Sequence, residues 1–305
     1  MTSEQLRAFL QVAQEGRFST AAKGLGLSQS GLSRQLQSLE TELGVRLLVR
    51  TPAGAVLTDA GERFLPHARR ALEALFAGTA ELEQLSGIPH GPLALGSLHT
   101  VGAYLLPDLI AAFARSYPEV RLRLSESLAP ELEEGVSRGV LDLAILSLPV
   151  RRADLVAQKL WEEPLVLAVP RGHPLTKLGR AVALTEVVEE PWVVIPGMTG
   201  TRALEAACEA RGVTPRVVLE TDNSEAMRRM VERGLGVALV PELMTRDHPA
   251  REFDIVQVVP GGPRRQVALV HRGEGYLTAA ARAFKKFIVE HVRKQPAIRS
   301  AEAQR

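Results

Sequence analysis

One cysteine, Cys208, is all the thiol that the 305-residue chain possesses. A single thiol excludes an internal disulfide and a cysteine-built zinc site, and fits a reducing compartment. No run of about 18 apolar residues occurs, so no membrane-spanning helix is expected. The opening MTSEQLRAF carries an acidic residue and no basic stretch ahead of an apolar core, unlike a signal peptide; a cytoplasmic location is expected. An excess of one charge is also missing, since 37 Lys+Arg against 35 Asp+Glu leave a net charge of +2. A nucleic-acid partner would have to be met by locally placed basic groups, because phosphate contacts act at short range. Catalytic signatures are missing too. There is no GxSxG, Walker loop or HExxH, the histidines show no i,i+4 metal spacing, and GLG at 234–236 is too short for a dinucleotide fingerprint. Neither catalysis, a metal nor a cofactor is expected.

What is present is a hydrophobic share of 46%, and length enough for two or three domains. Leu6, Phe9, Leu10 and Ala13 repeat at helical spacing up to Gly16. Ser19 can cap a second short helix carrying Ala21, Ala22 and Leu25. Ser28 can cap a third, on which Leu32, Leu36, Leu39 and Leu43 form one apolar face before Gly44. In VRLLVRTPAGAVL, residues 45–57, two apolar runs flank Pro52, Ala53 and Gly54, a hairpin signal. Thr58 can cap a long helix from Asp59. On it Leu65, Ala68, Leu72, Leu75, Thr79 and Leu82 make a heptad-like seam, suited to a second chain or to the surface of its own domain. Gly87, Pro89, Gly91 and Pro92 mark a linker.

From Leu93 onward strands alternate with helices. Strands are expected at 93–96, 120–124, 141–146, 165–169, 192–195, 217–219, 237–240 and 267–271, and helices at 101–115, 130–138, 201–211, 224–233 and 278–293. That alternation argues for open α/β sheets.

The third helix carries Gln29, Ser30, Ser33, Arg34 and Gln37 opposite its leucines and at its N-terminal end. Such groups suit base edges and phosphates in a major groove, where a recognition helix presents its first turns. A polar face alone describes any solvated amphipathic helix. The order helix, short turn, polar-faced helix, hairpin and long helix is more specific.

Residues 1–66 resemble the N-terminal domain of a LysR-type transcriptional regulator, chiefly through FSTAAKGLGLSQSGLSRQLQSLETELG followed by LLVR and LTDAG. The resemblance implies a winged helix-turn-helix (1–57) binding double-stranded DNA. It also implies a linker helix and hinge (58–90) that pairs two chains antiparallel, in homodimers that assemble to a homotetramer. It places Ser28, Gln29, Ser30, Ser33, Arg34 and Gln37 at the recognition positions, with Arg50 in the wing, within reach of phosphate or the minor groove. Ser30 stands where the family often has proline, Leu48 where an aromatic is common, and the wing tip PAGA lacks the usual basic residue.

Residues 91–293 resemble the family's effector-binding domain through PLALGSL, YLLPDLIAAFARSYPEVRLRL, GVLDLAIL, PLVLAVPRGHPL and MVERGLGVALVP. The resemblance implies two α/β lobes like those of periplasmic binding proteins: lobe I at 91–162 plus 266–293, lobe II at 163–265. The chain would cross between them near Glu162–Glu163 and Pro263–Arg265, leaving 294–305 as a tail. A ligand in such a fold sits at the carboxyl ends of strands. The loops there offer Ser97, His99, Thr100, Ser127 and Ser147 from one lobe, and Thr199, Gly200, Thr201, Arg202 and Asn223 from the other. Hydroxyls and helix-start amides suit a small anion such as a carboxylate, and Arg202 could add a charge-assisted bond. Ser97, Thr199 and Thr201 could equally cap helices, and Glu126 fits either an amine ligand or solvent.

Cys208 is expected inside a helix as a structural thiol. The pairs Arg228–Arg229, Arg264–Arg265 and Lys285–Lys286 read as solvated surface. The function expected is an effector-controlled DNA-binding regulator. The alternative is a small-molecule binding protein whose helical half only oligomerises.

Overall fold

The computed structural model describes residues 1–52, 54–85, 89–245, 252–259 and 261–292; Ala53 of the wing tip, Gly87 and the tail lie outside them. The N-terminal domain is built from α1 (Ser3–Glu15), α2 (Phe18–Gly24), α3 (Gln29–Leu43) and a hairpin of β1 (Leu48–Thr51) and β2 (Gly54–Leu57). A reciprocal cap starts α1: Thr2 Oγ1 accepts from the Gln5 amide at 3.3 Å, while the Thr2 amide donates to Gln5 Oε1 at 2.6 Å. Gly16, at φ 62°, ends it. Ser28 Oγ accepts from the Gly31 amide and starts α3, and Gly44 at φ 70° closes it. Leu6, Phe9, Val12, Leu32, Leu36 and Leu39 meet in one core, each 4% exposed or less. Each such side chain contributes about 1.5–3 kcal/mol. The second helix departs from expectation. It begins at Phe18 after an Arg17 that makes no side-chain cap, because the Phe18 ring packs on the core and draws the first turn forward of Ser19.

The linker helix α4 (Asp59–Leu85) starts after Thr58, whose Oγ1 accepts from the Gly61 amide at 2.9 Å. Part of its heptad-like seam faces its own domain. Ala68 and Leu72, 1% and 5% exposed, are packed into the N-terminal core, whereas Leu75 is 54% exposed. A stripe at spacings of three and four looks alike whichever surface covers it. The Thr79 and Leu82 side chains lie outside the described residues.

In the α/β half, β3 (Gly91–Ser97), β4 (Val120–Glu126) and β5 (Leu143–Ser147) run parallel in the order β4-β3-β5. The sheet continues antiparallel through β11 (Arg264–His271) to β6 (Val156–Pro170). Residues 156–164 of β6 pair with β11, whereas 165–170 pair with β9 (Ala238–Pro241) and β10 (Phe253–Val256). One continuous strand thus serves both lobes. β7 (Pro191–Val194) and β8 (Arg216–Glu220) pair in parallel, and a Trp192–Val237 bridge leads from β7 toward β9. Helices α5 (His99–Tyr104), α6 (Leu106–Ser116), α7 (Ala129–Ser137) and α10 (Ala279–Val292) accompany the first lobe; α8 (Thr199–Arg211) and α9 (Ser224–Glu232) accompany the second.

The expected single helix at 101–115 is two. Leu105, at φ −124° and ψ −45°, breaks the run, and Pro107, which lacks an amide hydrogen, sits in the first turn of α6. β6 begins nine residues before the expected Leu165, because VAQKLWEEP alternates exposed and buried positions and so shows no apolar run. The short β10 was absent from the expectation altogether. Among the described residues no helix is long and apolar enough to cross a membrane.

Candidate DNA interface and effector cleft

The exposed face of α3 gathers Gln29, Ser30, Arg34 and Gln37, with Ser33 half-buried beside them and Ser28 at the helix start. Ser28 Oγ is engaged as the cap and lies 3.1 Å from Ser30 Oγ. Arg50 on β1 donates to Ser33 Oγ at 2.7 Å, and its guanidinium lies 4.2 Å from the Phe18 ring centroid. The wing arginine therefore extends the recognition-helix surface; it is held there before any partner arrives. Glu40 fastens the wing to the same helix, since its Oε1 accepts from the Leu47 and Leu48 amides at 2.7 and 3.0 Å.

In the α/β half the ends of β3 and β5 and the loop after β4 converge on the starts of α7 and α8. There Leu98, His99, Thr100, Ser127, Leu128, Ala129 and Ser147 face Ile195, Gly197, Met198, Thr199, Arg202 and Ser224 across a narrow cleft, with Arg265 also in its wall. The cleft offers about 30 Å³ of room. That is room for a water or two. Of the residues expected here, His99, Thr100, Ser127, Ser147, Thr199 and Arg202 line the cleft, whereas Ser97, Gly200, Thr201 and Asn223 do not. Ser97 is fully buried and donates to the Leu98 carbonyl. Gly200 is a packing residue: a Cβ there would lie 2.1 Å from the Leu239 carbonyl oxygen. Thr201 donates to the Ile195 carbonyl at 2.7 Å. Asn223 caps α9 by accepting from the amides of Glu225 and Ala226.

The capping reading of Ser97, Thr199 and Thr201 does not hold. α5, α7 and α8 follow Leu98, Leu128 and Met198 in turn, and none of these starts has a side-chain cap. Apolar residues occupy the cap positions, so the first-turn amides there have no side-chain acceptor. Arg265 was missed. It reads as one half of a solvated pair, yet it is 4% exposed. Its Nε donates to Glu163 Oε1 at 2.9 Å and its Nη1 to Thr100 Oγ1 at 2.9 Å. Nη2 lies 2.9 Å from the same carboxylate oxygen but outside hydrogen-bond geometry, and is buried without a hydrogen-bond partner. Glu163 is further held by Trp161 Nε1 and the Leu243 amide. Removing one member of such a buried pair costs about 3–5 kcal/mol. Arg228 is also buried, paired with Glu225 and Glu232, rather than solvated. Tyr104 of α5 packs against the second lobe, where burial and Glu225 push its hydroxyl pKa up. Cys208 is 1% exposed in the core of that lobe, and burial raises its thiol pKa.

A winged helix-turn-helix joined by a long helix to a two-lobed α/β unit defines a helix-turn-helix transcription regulator. Residues 3–62 match the bacterial regulatory helix-turn-helix proteins of the lysR family, and residues 86–293 match the LysR substrate binding domain. The RuBisCO operon transcriptional regulator of Allochromatium vinosum is 33% identical over 93% of this chain and 94% of its own. A probable hydrogen peroxide-inducible genes activator of Mycobacterium leprae is 33% identical over 93% and 92%. A full-length OxyR variant from Pseudomonas aeruginosa superposes with a TM-score of 0.69 at 26% identity, covering 98% of this chain and 97% of that one. The chain belongs to the LysR family of transcriptional regulators.

Proposed function

We propose that this LysR-type regulator reads an operator through Gln29, Ser30, Ser33, Arg34, Gln37 and Arg50, and that a small carboxylate or comparable anion between its lobes controls that reading. In this view residues 1–57 bind DNA and 58–90 pair two chains, which assemble further to a tetramer. Residues 91–162 with 266–293 and residues 163–265 are the lobes. The observation that carries the anion is Arg265, a buried guanidinium in the cleft wall that is ion-paired with Glu163 and keeps one terminal nitrogen without a hydrogen bond. The uncapped starts of α7 and α8 support it, since a helix N-terminus favours negative charge. Arg202, exposed at the rim, can add a charge-assisted bond. A ligand shifts the lobes only through unequal affinity for their open and closed arrangements.

The test is a nuclease footprint of the protein's own promoter region at low salt, with acetate, succinate and benzoate as probes and a primary amine as control. Wild type protects a site, and Gln29→Ala with Arg34→Ala weakens that protection by about tenfold or more. Arg202→Ala raises the concentration of an active carboxylate needed for half-effect by about tenfold. No protected site removes the DNA assignment. A response to the amine and to none of the carboxylates removes the anion.

A further inference from the structure

Helix α7 reaches from the cleft to the DNA-binding domain. Its start, with Ser127, Leu128 and Ala129, forms part of the cleft wall. Its other end, about 13 Å away at 1.5 Å per residue, finishes at Arg138, whose side chain reaches out of the effector half. Arg138 Nε lies 3.0 Å from Glu15 Oε1, outside hydrogen-bond geometry but an ion pair with the last residue of α1 in the DNA-binding domain. The Glu15 side chain is 4% exposed and that of Arg138 30%, so this pair is shielded from solvent on its carboxylate side. Glu134 of α7 holds the same guanidinium at 2.5 Å, and Gln11 Nε2 donates to Glu15 at 3.1 Å, so both partners are oriented.

The far side of the pair connects to the wing. Gly16 follows Glu15, and its carbonyl oxygen accepts from the Ala55 amide of β2 at 2.7 Å. A second contact runs in parallel. Gly139, just past α7, abuts the Arg272 guanidinium, which a Cβ there would meet at 2.8 Å. That guanidinium lies 4.6 Å from the Tyr276 ring centroid, in the turn 274–276 against which α4 packs. The end of α7 therefore touches the DNA-binding domain through α1 and adjoins the turn that supports the linker helix.

We infer that α7 is a strut coupling the cleft to the DNA-binding domain of the same chain, with Glu15–Arg138 as its joint. The inference rests on the cleft-and-operator reading above and specifies its regulation. Leu132, Glu133 and Val136 seat α7 against the sheet, and Glu133 accepts from the Arg151 amide at 3.0 Å. The helix thus moves as a unit with lobe I. Motion at its start is delivered to the α1–wing corner, and a fixed wing resists motion at the start. Such coupling is reciprocal: DNA on the recognition helix changes ligand affinity at the cleft by the same factor as a cleft ligand changes DNA affinity, and in the strut that influence passes through the cleft end of α7. Glu15 and Arg138 are positioning residues in this scheme.

Reciprocity allows the test to be run with DNA alone. Hydrogen–deuterium exchange is followed at residues 127–132 of the full-length protein, with and without a duplex of its own promoter region. In wild type, DNA changes exchange there by about fivefold or more. Arg138→Gln and, in the other domain, Glu15→Gln lose that change while still binding the duplex, whereas Arg138→Lys, which keeps the positive charge beside Glu134 and Glu15, retains it. An unchanged segment 127–132 in DNA-bound wild type overturns the strut, as does an equal change in wild type and both glutamine variants. Wild type that binds no duplex overturns the operator reading beneath it, a distinct result.

Discussion

Gly54 shows how much one absent side chain governs. It stands at φ +141°, and a Cβ there would lie 2.1 Å from the Gly16 carbonyl oxygen to which the wing is anchored. Gly54→Ala must distort either the hairpin or the end of α1. The expected cost is about 2 kcal/mol or more, read as a lower denaturant midpoint of the full chain. A wing displaced in this way also disturbs Arg50, which Ser33 and Phe18 hold on the recognition face. At this scale the sequence is legible wherever chemistry follows periodicity. The outward set on α3 could be read because Leu32, Leu36 and Leu39 define what is inward. Arg265 could not, because two adjacent arginines look alike in a string. Strand alternation points one of them out to Glu162 and the other into the cleft wall, and only the register of β11 on β6 says which.

Among the elements, β6 carries the most. Near its middle Glu162 accepts hydrogen bonds from Lys159 at 2.7 Å, Arg264 at 2.7 Å and Gln266 at 3.0 Å. Led by Lys159 and then Arg264, these donors hold the Glu162 carboxyl at about 2, against 4.5 for an ordinary glutamate. A depressed pKa stabilises the fold only while the group is ionised. That contribution is complete above pH 4.5 and drains away as the pH falls toward 2. Thermal midpoints measured between those limits should fall less steeply for Glu162→Gln than for wild type. An equal slope in both would show that the carboxylate contributes nothing there. The first half of this strand was not legible, since its polar, half-exposed residues break the apolar run by which buried strands are recognised. The break at Leu105 was not legible either, because the residues on both sides of it keep helical spacing. α1, α3, the hairpin and α4 were legible through their caps and glycines, which act locally and so are written locally.

Across the whole molecule the lobes are joined by strands rather than by flexible loops. β6 runs through from one to the other, and β11 begins at the crossing, where Glu163 and Arg265 pair. Parting the lobes therefore bends continuous backbone around a buried ion pair whose Arg265 also lines the cleft. In the proposed scheme the angle between the lobes is what α7 carries onward to α1. The lone thiol stands apart from this path, enclosed in the second lobe with its pKa raised. One relative is named for hydrogen peroxide, yet no pair of cysteines exists in this chain to close a bond on oxidation. Operator affinity is expected to be the same before and after mild peroxide treatment, and the same in Cys208→Ser; a loss in wild type that the variant escapes would place the thiol on the path after all. The shielding of Cys208 has a consequence in time. A regulator that stores its signal as a covalent bond stays switched until another enzyme erases it. One that holds its signal by contacts alone forgets at the rate the occupant departs, and its genes follow the present concentration instead of its history.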